Sequence, residues 1–426
     1  MQIYRTYIPA MQASEGAAYS QVDFSMEIKL HEHGINRFFA SVFSPPGWMK
    51  SNGSESNGGS LLTQYYDDFA RMCAEYARQF KAAVGVDLYG ISLQNEPLFS
   101  EPYASCVYST TTYRDLTRAA GPIIAGTLPA NKFIGAEDVL NSASRCNGWV
   151  QAILADTEAA RYFGIYAVHC HTELFDTPTD EYRSWWNTVR TVADANNQPL
   201  WMTEVGDNFA GDWATAVRLA TTIGNSFRYG NCAAWVWLTV ADGSYAENSM
   251  ILDGVYGPKY YQQAHFGRFV KLGARRIESS SSAAALQEVA FRNTDNSIVV
   301  VVTNLSGSNS VSLAGTGLPT QFRAYQSTDS LHMMQDMGLV TTGNTLTLPQ
   351  NSITTFTSGT TPVRARPPVE SGLRTATPQW RTGPCAISTL DGRVVVRQAA
   401  RDGTARQSGV YVQQNAVGRA RTVVAP

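Results

Sequence analysis

Apolar runs that break off at a carboxylate set the pattern of this chain. Leu88-Tyr89-Gly90-Ile91-Ser92-Leu93 leads into Gln94-Asn95-Glu96-Pro97, and Pro199-Leu200-Trp201-Met202-Thr203 leads into Glu204-Val205-Gly206. A short apolar run bounded by turn residues reads as a buried strand, so two strand ends each deliver one glutamate. Further strands are expected over 2–8, 36–41, 132–136, 164–170 and 231–240, and helices over 23–33, 64–84, 113–126, 148–157, 180–193, 213–228 and 260–270. Regular alternation of strand and helix predicts a parallel sheet, and at this length a (β/α)8 barrel. Seven strands are legible where a closed barrel needs eight, so the first strand is expected to be missing at the N-terminus. Such barrels do their chemistry at the C-terminal ends of the strands. Either glutamate alone could be a solvated strand-terminal residue; two on one rim make a pair.

After Gly273 the texture changes. Short alternating runs over 286–292, 297–304, 310–313, 321–327 and 345–357, separated by Asn, Gly and Ser turns, predict a β-sandwich. The expected organisation is a catalytic barrel over 1–272, a sandwich over 273–358, a Pro/Arg-rich linker over 359–382 and a small β domain over 383–426. The fold class is therefore α/β, a barrel with two β appendages.

Composition narrows the function. The 426 residues carry a net charge of −2 and an isoelectric point near 6.3, which gives no footprint for nucleic acid or an anionic membrane. Charged residues make up 16% and aromatic residues 11%, a balance suited to neutral, ring-shaped ligands such as sugars. No apolar run is long enough to span a membrane. The cysteines, at 73, 106, 146, 170, 232 and 385, contain no CxxC pair. Cys106 and Cys146 could be bridged in an oxidising compartment, although free buried thiols are the commoner state of scattered cysteines. His169-Cys170-His171 makes a poor metal motif, because only the two histidines share a strand face and no third ligand is evident. No metal and no cofactor are expected.

Three segments in order, Ser44-Pro45-Pro46-Gly47-Trp48-Met49-Lys50, Gln94-Asn95-Glu96-Pro97 and Thr203-Glu204, resemble glycoside hydrolase family 30, over roughly residues 1–358. The resemblance implies a retaining glycosidase with Glu96 as acid/base and Glu204 as nucleophile. Double displacement would need Glu204 ionised among hydrogen-bond donors and Glu96 raised in pKa. Asn95 is expected at the sugar 2-hydroxyl, against the alternative of an amide capping the turn. Arg5 resembles the arginine that steadies the nucleophile, against a plain ion-pair partner. His169 and His171 end a strand where relatives carry His-x-Tyr, which leaves the donor to Glu204 open. Trp48 and Trp237 could stack on sugar rings or merely fill the barrel mouth.

The expected substrate is a plant cell-wall polysaccharide, β-1,4-xylan first, with β-1,6-glucan, β-1,6-galactan or exo-action as alternatives and a carbohydrate-binding protein on a dead barrel as the non-enzyme reading. The loop after the last barrel strand, 238–248, holds two acids and no Arg or Lys, so glucuronic acid branches are not expected to be required. Residues 390–396, 408–412 and 419–424 are similar to the C-terminal sorting domains of the type IX secretion route. That similarity implies a secreted or outer-surface location reached through secretion machinery; a monomer is expected.

Overall fold

The structure, a computed structural model, describes residues 2–128, 133–171, 179–206, 211–241, 249–252, 254–329 and 332–359, and beyond these four short strands at the C-terminal end. Seven strands, β1 (Tyr4–Ile8), β2 (Phe38–Val42), β3 (Gly90–Ser92), β4 (Phe133–Val139), β5 (Phe163–His169), β6 (Leu200–Val205) and β7 (Ala234–Trp237), hydrogen-bond side by side in chain order. Every neighbouring pair is parallel. Helices intervene, and the whole is a near-closed barrel with β1 and β7 at its two edges among the described residues.

Alternation along the strands assigns side chains to the two faces of the barrel wall. Phe38, Ala40 and Val42 of β2 join the cluster shared with the helices, whereas Phe39 lies with Ile134, Ile165, Ala167 and Trp201 in a separate inner cluster. Tyr89 stacks on Trp201 there, ring centroids 5.4 Å apart. The helix Tyr66–Val84 buries Phe69, Met72, Cys73, Tyr76 and Phe80, a stripe at spacings of three and four. It stops at Gly85, whose φ of 87° closes the last turn by donating its N–H to Lys81 O, a conformation that favours glycine.

The second unit is a six-stranded antiparallel sheet in the order β10 (Arg275–Ile277), β11 (Leu286–Arg292), β12 (Ile298–Asn304), β17 (Ser352–Thr357), β14 (Gln321–Ser327), β15 (Gln335–Thr341). The pair β13 (Asn309–Ser312) and β16 (Thr345–Leu348) stands apart from it. A small hairpin, β8 (Ile251–Leu252) with β9 (Val255–Tyr256), precedes both.

Every residue of β12 is buried because both of its faces are covered. Val300 and Val302 meet Phe322, Leu348 and Phe356 in the sandwich. Val299 and Val301 instead meet Ala216, Ala220 and Ile223 of the barrel helix Trp213–Arg228. Trp213 Nε1 also donates to Asn351 O at 2.7 Å, so the sandwich is seated directly on the barrel.

One alternative left open by the sequence is resolved here, and one expectation is corrected. Cys106 and Cys146 are both free and buried; the Cys146 thiol sits on its own helix and donates to Val139 O at 3.5 Å. The run 345–357 is two strands rather than one, because Pro349 cannot donate to a ladder and Asn351, at φ 55°, turns the chain into the other sheet. The linker beyond 359 and Cys385 lie outside the described residues. The C-terminal region contributes two antiparallel pairs, Ala386–Ser388 with Val394–Val396 and Gly409–Gln414 with Ala420–Ala425.

One buried histidine ties the two units together. His265, on the helix Pro258–Gly267, bonds Thr355 Oγ1 at 2.8 Å and Ser327 Oγ at 2.9 Å. Burial, with a smaller push from the Arg268 charge, lowers its pKa from 6.5 to about 3. Between those values the unfolded chain takes up a proton that the native one refuses, so stability falls as pH drops through that window. We expect the thermal midpoint of His265→Gln to fall less than that of the wild type on acidification from about pH 7 to about pH 4.5. Equal slopes in differential scanning fluorimetry would contradict this.

Candidate active site

Side chains from six strands, or from just beyond their C-terminal ends, converge on one charged cluster, and Arg5, near the start of β1, is its hub. Its guanidinium donates to Glu204 Oε2 through Nη1, to Asn95 Oδ1 at 2.6 Å and Glu137 Oε2 at 3.0 Å through Nη2, and to Ser41 Oγ at 2.9 Å through Nε. Opposite, His169 Nδ1 and His171 Nε2 each lie 2.9 Å from Glu96 Oε1. A carboxylate oxygen only accepts, so both ring nitrogens carry the proton toward it. His171 Nε2 is also 3.7 Å from Glu204 Oε1, and its Nδ1 donates to Gly206 O. The two imidazoles therefore face the same side, as two residues spaced i, i+2 at a strand end should.

Local backbone irregularity aims these groups. The β4–β5 register shifts between Ala136 and Asp138, the β5–β6 register between Val168 and His169, and the β6–β7 register between Met202 and Val205. Each shift falls on a cluster residue: Glu137, His169, and the Thr203-Glu204 step. An extra residue on one strand turns a side chain that strict alternation would send elsewhere. Glu96 and Glu137 both take positive φ, 45° and 54°.

Electrostatics follow from burial and pairing. Burial alone would raise Glu96, but hydrogen bonds from His169 and His171 outweigh it and hold the carboxyl well below the ordinary range. Burial would likewise raise Glu137, yet the Arg5 charge brings it to about 2. Burial opposes the charged forms of the partners too; the carboxylates nonetheless raise Arg5 and His169, and push His171 up to about 10. The expectation of a raised Glu96 is thus overturned, because two imidazoles clamp it.

Of the sequence candidates, Arg5, Asn95, Glu96, His169, His171 and Glu204 come together. Trp237 ends β7 opposite Val205 in register, at the same rim. Trp48 does not join the cluster: its Nε1 donates to Gln12 O at 3.1 Å and its ring meets Tyr65 edge-on at 5.0 Å. The Ser44–Lys50 segment owes its shape to Lys50, a buried ammonium bonding Ser44 Oγ at 2.9 Å, Glu55 O at 3.1 Å and Ser105 O at 2.6 Å. The loop residues 242–248 lie outside the described residues.

Sequence reasoning missed Glu137, although the signal was present. Phe133-Ile134-Gly135-Ala136 is a third apolar run closing on acids, Glu137-Asp138. Only the first acid faces the cluster; Asp138 turns outward to Arg145 Nε at 2.7 Å and Trp149 Nε1 at 3.0 Å. The metal argument needs correction as well. Glu96, His169, His171 and Glu204 offer ligand atoms that all lie within 4.8 Å of one another, so the histidine pair does not lack further ligands.

The description "Glycosyl hydrolase family 30 TIM-barrel domain" matches residues 22–270, and the family's β-sandwich domain matches residues 273–356. The chain belongs to glycosyl hydrolase family 30. It is a glycoside hydrolase by that membership. It is 27% identical over 331 residues to glucuronoxylanase XynC of Bacillus subtilis, covering 75% of this chain and 73% of that protein. It is also 27% identical over 296 residues to lysosomal acid glucosylceramidase of Mus musculus, covering 63% of this chain. The chain spans 56% of the length of that mouse relative. A family 30 subfamily 8 xylanase from Clostridium acetobutylicum superposes with a TM-score of 0.69 at 22% identity, over 84% of this chain and 89% of the other, a likeness of fold.

Removing Arg5 tests the hub. Leaving buried carboxylates without their cation costs about 3–5 kcal/mol. Arg5→Gln should therefore lower stability by that order in urea unfolding and abolish turnover, with Arg5→Lys intermediate because an ammonium cannot reproduce the fork. A wild-type unfolding midpoint in Arg5→Gln would refute the assignment.

Proposed function

We propose that this chain is a retaining glycosidase acting on plant cell-wall polysaccharide, β-1,4-xylan first, with Glu204 as nucleophile and Glu96 as acid/base. The carrying observation is spacing: Glu96 and Glu204 offer oxygens within 4.8 Å of each other. That is in keeping with the roughly 5–5.5 Å between carboxyl groups of retaining pairs and short of the roughly 6.5–9.5 Å of inverting pairs.

In this reading Glu204 attacks the anomeric carbon, forming an ester as the bond to the leaving oxygen breaks. The leaving oxygen is protonated through Glu96, which is ionised at rest and passes on the Nε2 proton of His171, 2.9 Å behind it. Water then cleaves the ester, its proton returning through Glu96 to His171. Asn95 Oδ1 is already taken by Arg5, so the amide presents its Nδ2 donors, the polarity suited to a sugar 2-hydroxyl.

The Bacillus glucuronoxylanase, aligned over three quarters of this chain, supports xylan. The equal identity of the mouse glucosylceramidase favours a second reading, exo-action on a single β-linked sugar. Secretion or outer-surface display, with the C-terminal residues as a sorting module, belongs to the proposal too, since a polymer of this kind is met outside the cell.

Glu204→Gln should lose turnover by at least about four orders of magnitude while still binding oligosaccharide, because the amide keeps the shape and not the nucleophile. Glu96→Ala should spare aryl glycosides with good leaving groups far more than polysaccharide; equal losses on both would sink its role. Product analysis against xylan, uronate-stripped xylan, β-1,6-glucan and β-1,6-galactan decides the substrate. Release of single sugars from chain ends favours exo-action, and a collapse of rate on stripped xylan would contradict independence from uronic acid. Deleting residues 362–426 should leave kcat on soluble substrate unchanged if that region serves only delivery; a folded, inactive product would refute that division.

A further inference from the structure

We propose that the same pocket binds one divalent transition-metal ion of the Zn2+ class through His169 Nδ1, His171 Nε2, Glu96 Oε1 and Glu204 Oε1, and that the bound ion stops turnover. Geometry is the first argument. Both imidazole nitrogens stand 2.9 Å from Glu96 Oε1, and His171 Nε2 stands 3.7 Å from Glu204 Oε1. The four ligand atoms all fall within 4.8 Å. A tetrahedral zinc ion with ligands about 2.0–2.2 Å away needs ligand pairs roughly 3.3–3.6 Å apart. Small rotations of the side chains close the difference.

The outer contacts are of the kind that metal-bound histidines keep. A ligating imidazole usually gives its other N–H to a carbonyl or a carboxylate, which fixes the ring and its tautomer. His171 Nδ1 donates to Gly206 O. His169 Nε2 lies 3.7 Å from Glu137 Oε1, and neither of these buried atoms has a hydrogen-bond partner. The His171 ring is thus oriented from behind, and His169 has a carboxylate close behind it that a small shift would bring into hydrogen-bond reach, with the nitrogen facing the pocket left to bind in each.

Charge makes the third argument. Glu96, Glu137 and Glu204 bring three carboxylates against the single charge of Arg5, which pairs with Glu137 and Glu204. A set of two imidazoles and two carboxylates suits Zn2+ rather than Mg2+ or Ca2+, which prefer oxygen alone. The side chains of Glu96 and His171 are 14% and 16% exposed, so the pocket opens to solvent and an ion has a way in.

Such an ion would hold the oxygen of Glu204 that faces the pocket and the oxygen of Glu96 that passes the proton. The inhibition rests on the catalytic reading given above; the binding does not.

The test uses the full chain stripped of metal by chelator and titrated with Zn2+ alone in isothermal calorimetry. One equivalent should bind, and Co2+ in its place should give the intense visible bands of a four-coordinate site. Glu137→Gln should weaken binding by roughly 10- to 100-fold, the usual loss for an outer partner, and His171→Gln by more. One equivalent of Zn2+ should remove activity, and EDTA should restore it. Absence of stoichiometric binding, only the weak bands of octahedral Co2+, or undiminished binding in a folded His171→Gln protein would each overturn the site. The wild-type Co2+ spectrum stands even if the variants fail to fold. Full activity with Zn2+ bound would overturn the inhibition alone, and an active Glu204→Gln protein would overturn the catalytic reading while the calorimetric result still judged the ion.

Discussion

Three carboxylates at the mouth of one barrel are the constraint from which the rest of the site follows. A carboxylate moved out of water loses several kcal/mol of solvation unless a charge or hydrogen bonds replace it. Glu137 has no exposed side-chain surface and Glu204 little. The chain answers with a planar fork rather than a point charge, since Arg5 reaches Glu204, Glu137, Asn95 and Ser41 at once. An ammonium could not span those directions. Placing Arg5 on β1, beside β2 and facing strands from the opposite wall, ties the ends of four strands to one group. The site is thereby a structural element of the barrel rim as well as a place for chemistry.

The register shifts explain how a barrel wall with a period of two collects so many polar groups at one level. Strict alternation would send half of the strand-end residues outward to the helices; the shift beside Glu137 turns that side chain inward and leaves Asp138 to Arg145. Shifts at Glu137, at His169 and at the Thr203-Glu204 step rotate individual side chains inward. They lie at the C-terminal ends of adjacent strands, where pairing stops and a lost ladder bond costs least. Asn95, Glu96 and His171 lie just beyond strand ends, where the backbone is free of the ladder altogether.

How much of this was legible depended on whether a local pattern carried it. The glutamates at 96 and 204 stood out because an apolar run marks a buried strand and an acid at its end is conspicuous. The helices, the seven strands and the change of texture after 273 follow the same hydrophobic patterning. Glu137 escaped because the strand was ended at 136, one residue before the side chain that mattered. The edge strand Gln335–Thr341 escaped because it is largely exposed, so no buried face imposes a period. His265 and Lys50 could not be read at all: their partners are 90 and 55 residues away, and nothing local distinguishes a buried lysine from a solvated one. The low pKa of Glu96 was beyond reach for the same reason, since it depends on histidines 73 and 75 residues further on.

Position 171 shows how one substitution changes what a shared site can do. The resemblance to the family leads one to expect a tyrosine there, whose phenol is a neutral donor with an ordinary pKa near 10. An imidazole at the same place donates as well, but it has a second nitrogen, used here on Gly206 O, and it can carry a positive charge or present a lone pair. Both extra capacities act on Glu96. As imidazolium, His171 holds Glu96 ionised, so in the proposed reaction the proton for the leaving group would be stored one hydrogen bond away rather than on the acid itself. As a neutral ligand, it completes with His169 a donor set that a phenol could not. The barrel and its sandwich are shared with the family; the proposed proton store and metal affinity would belong to the histidine.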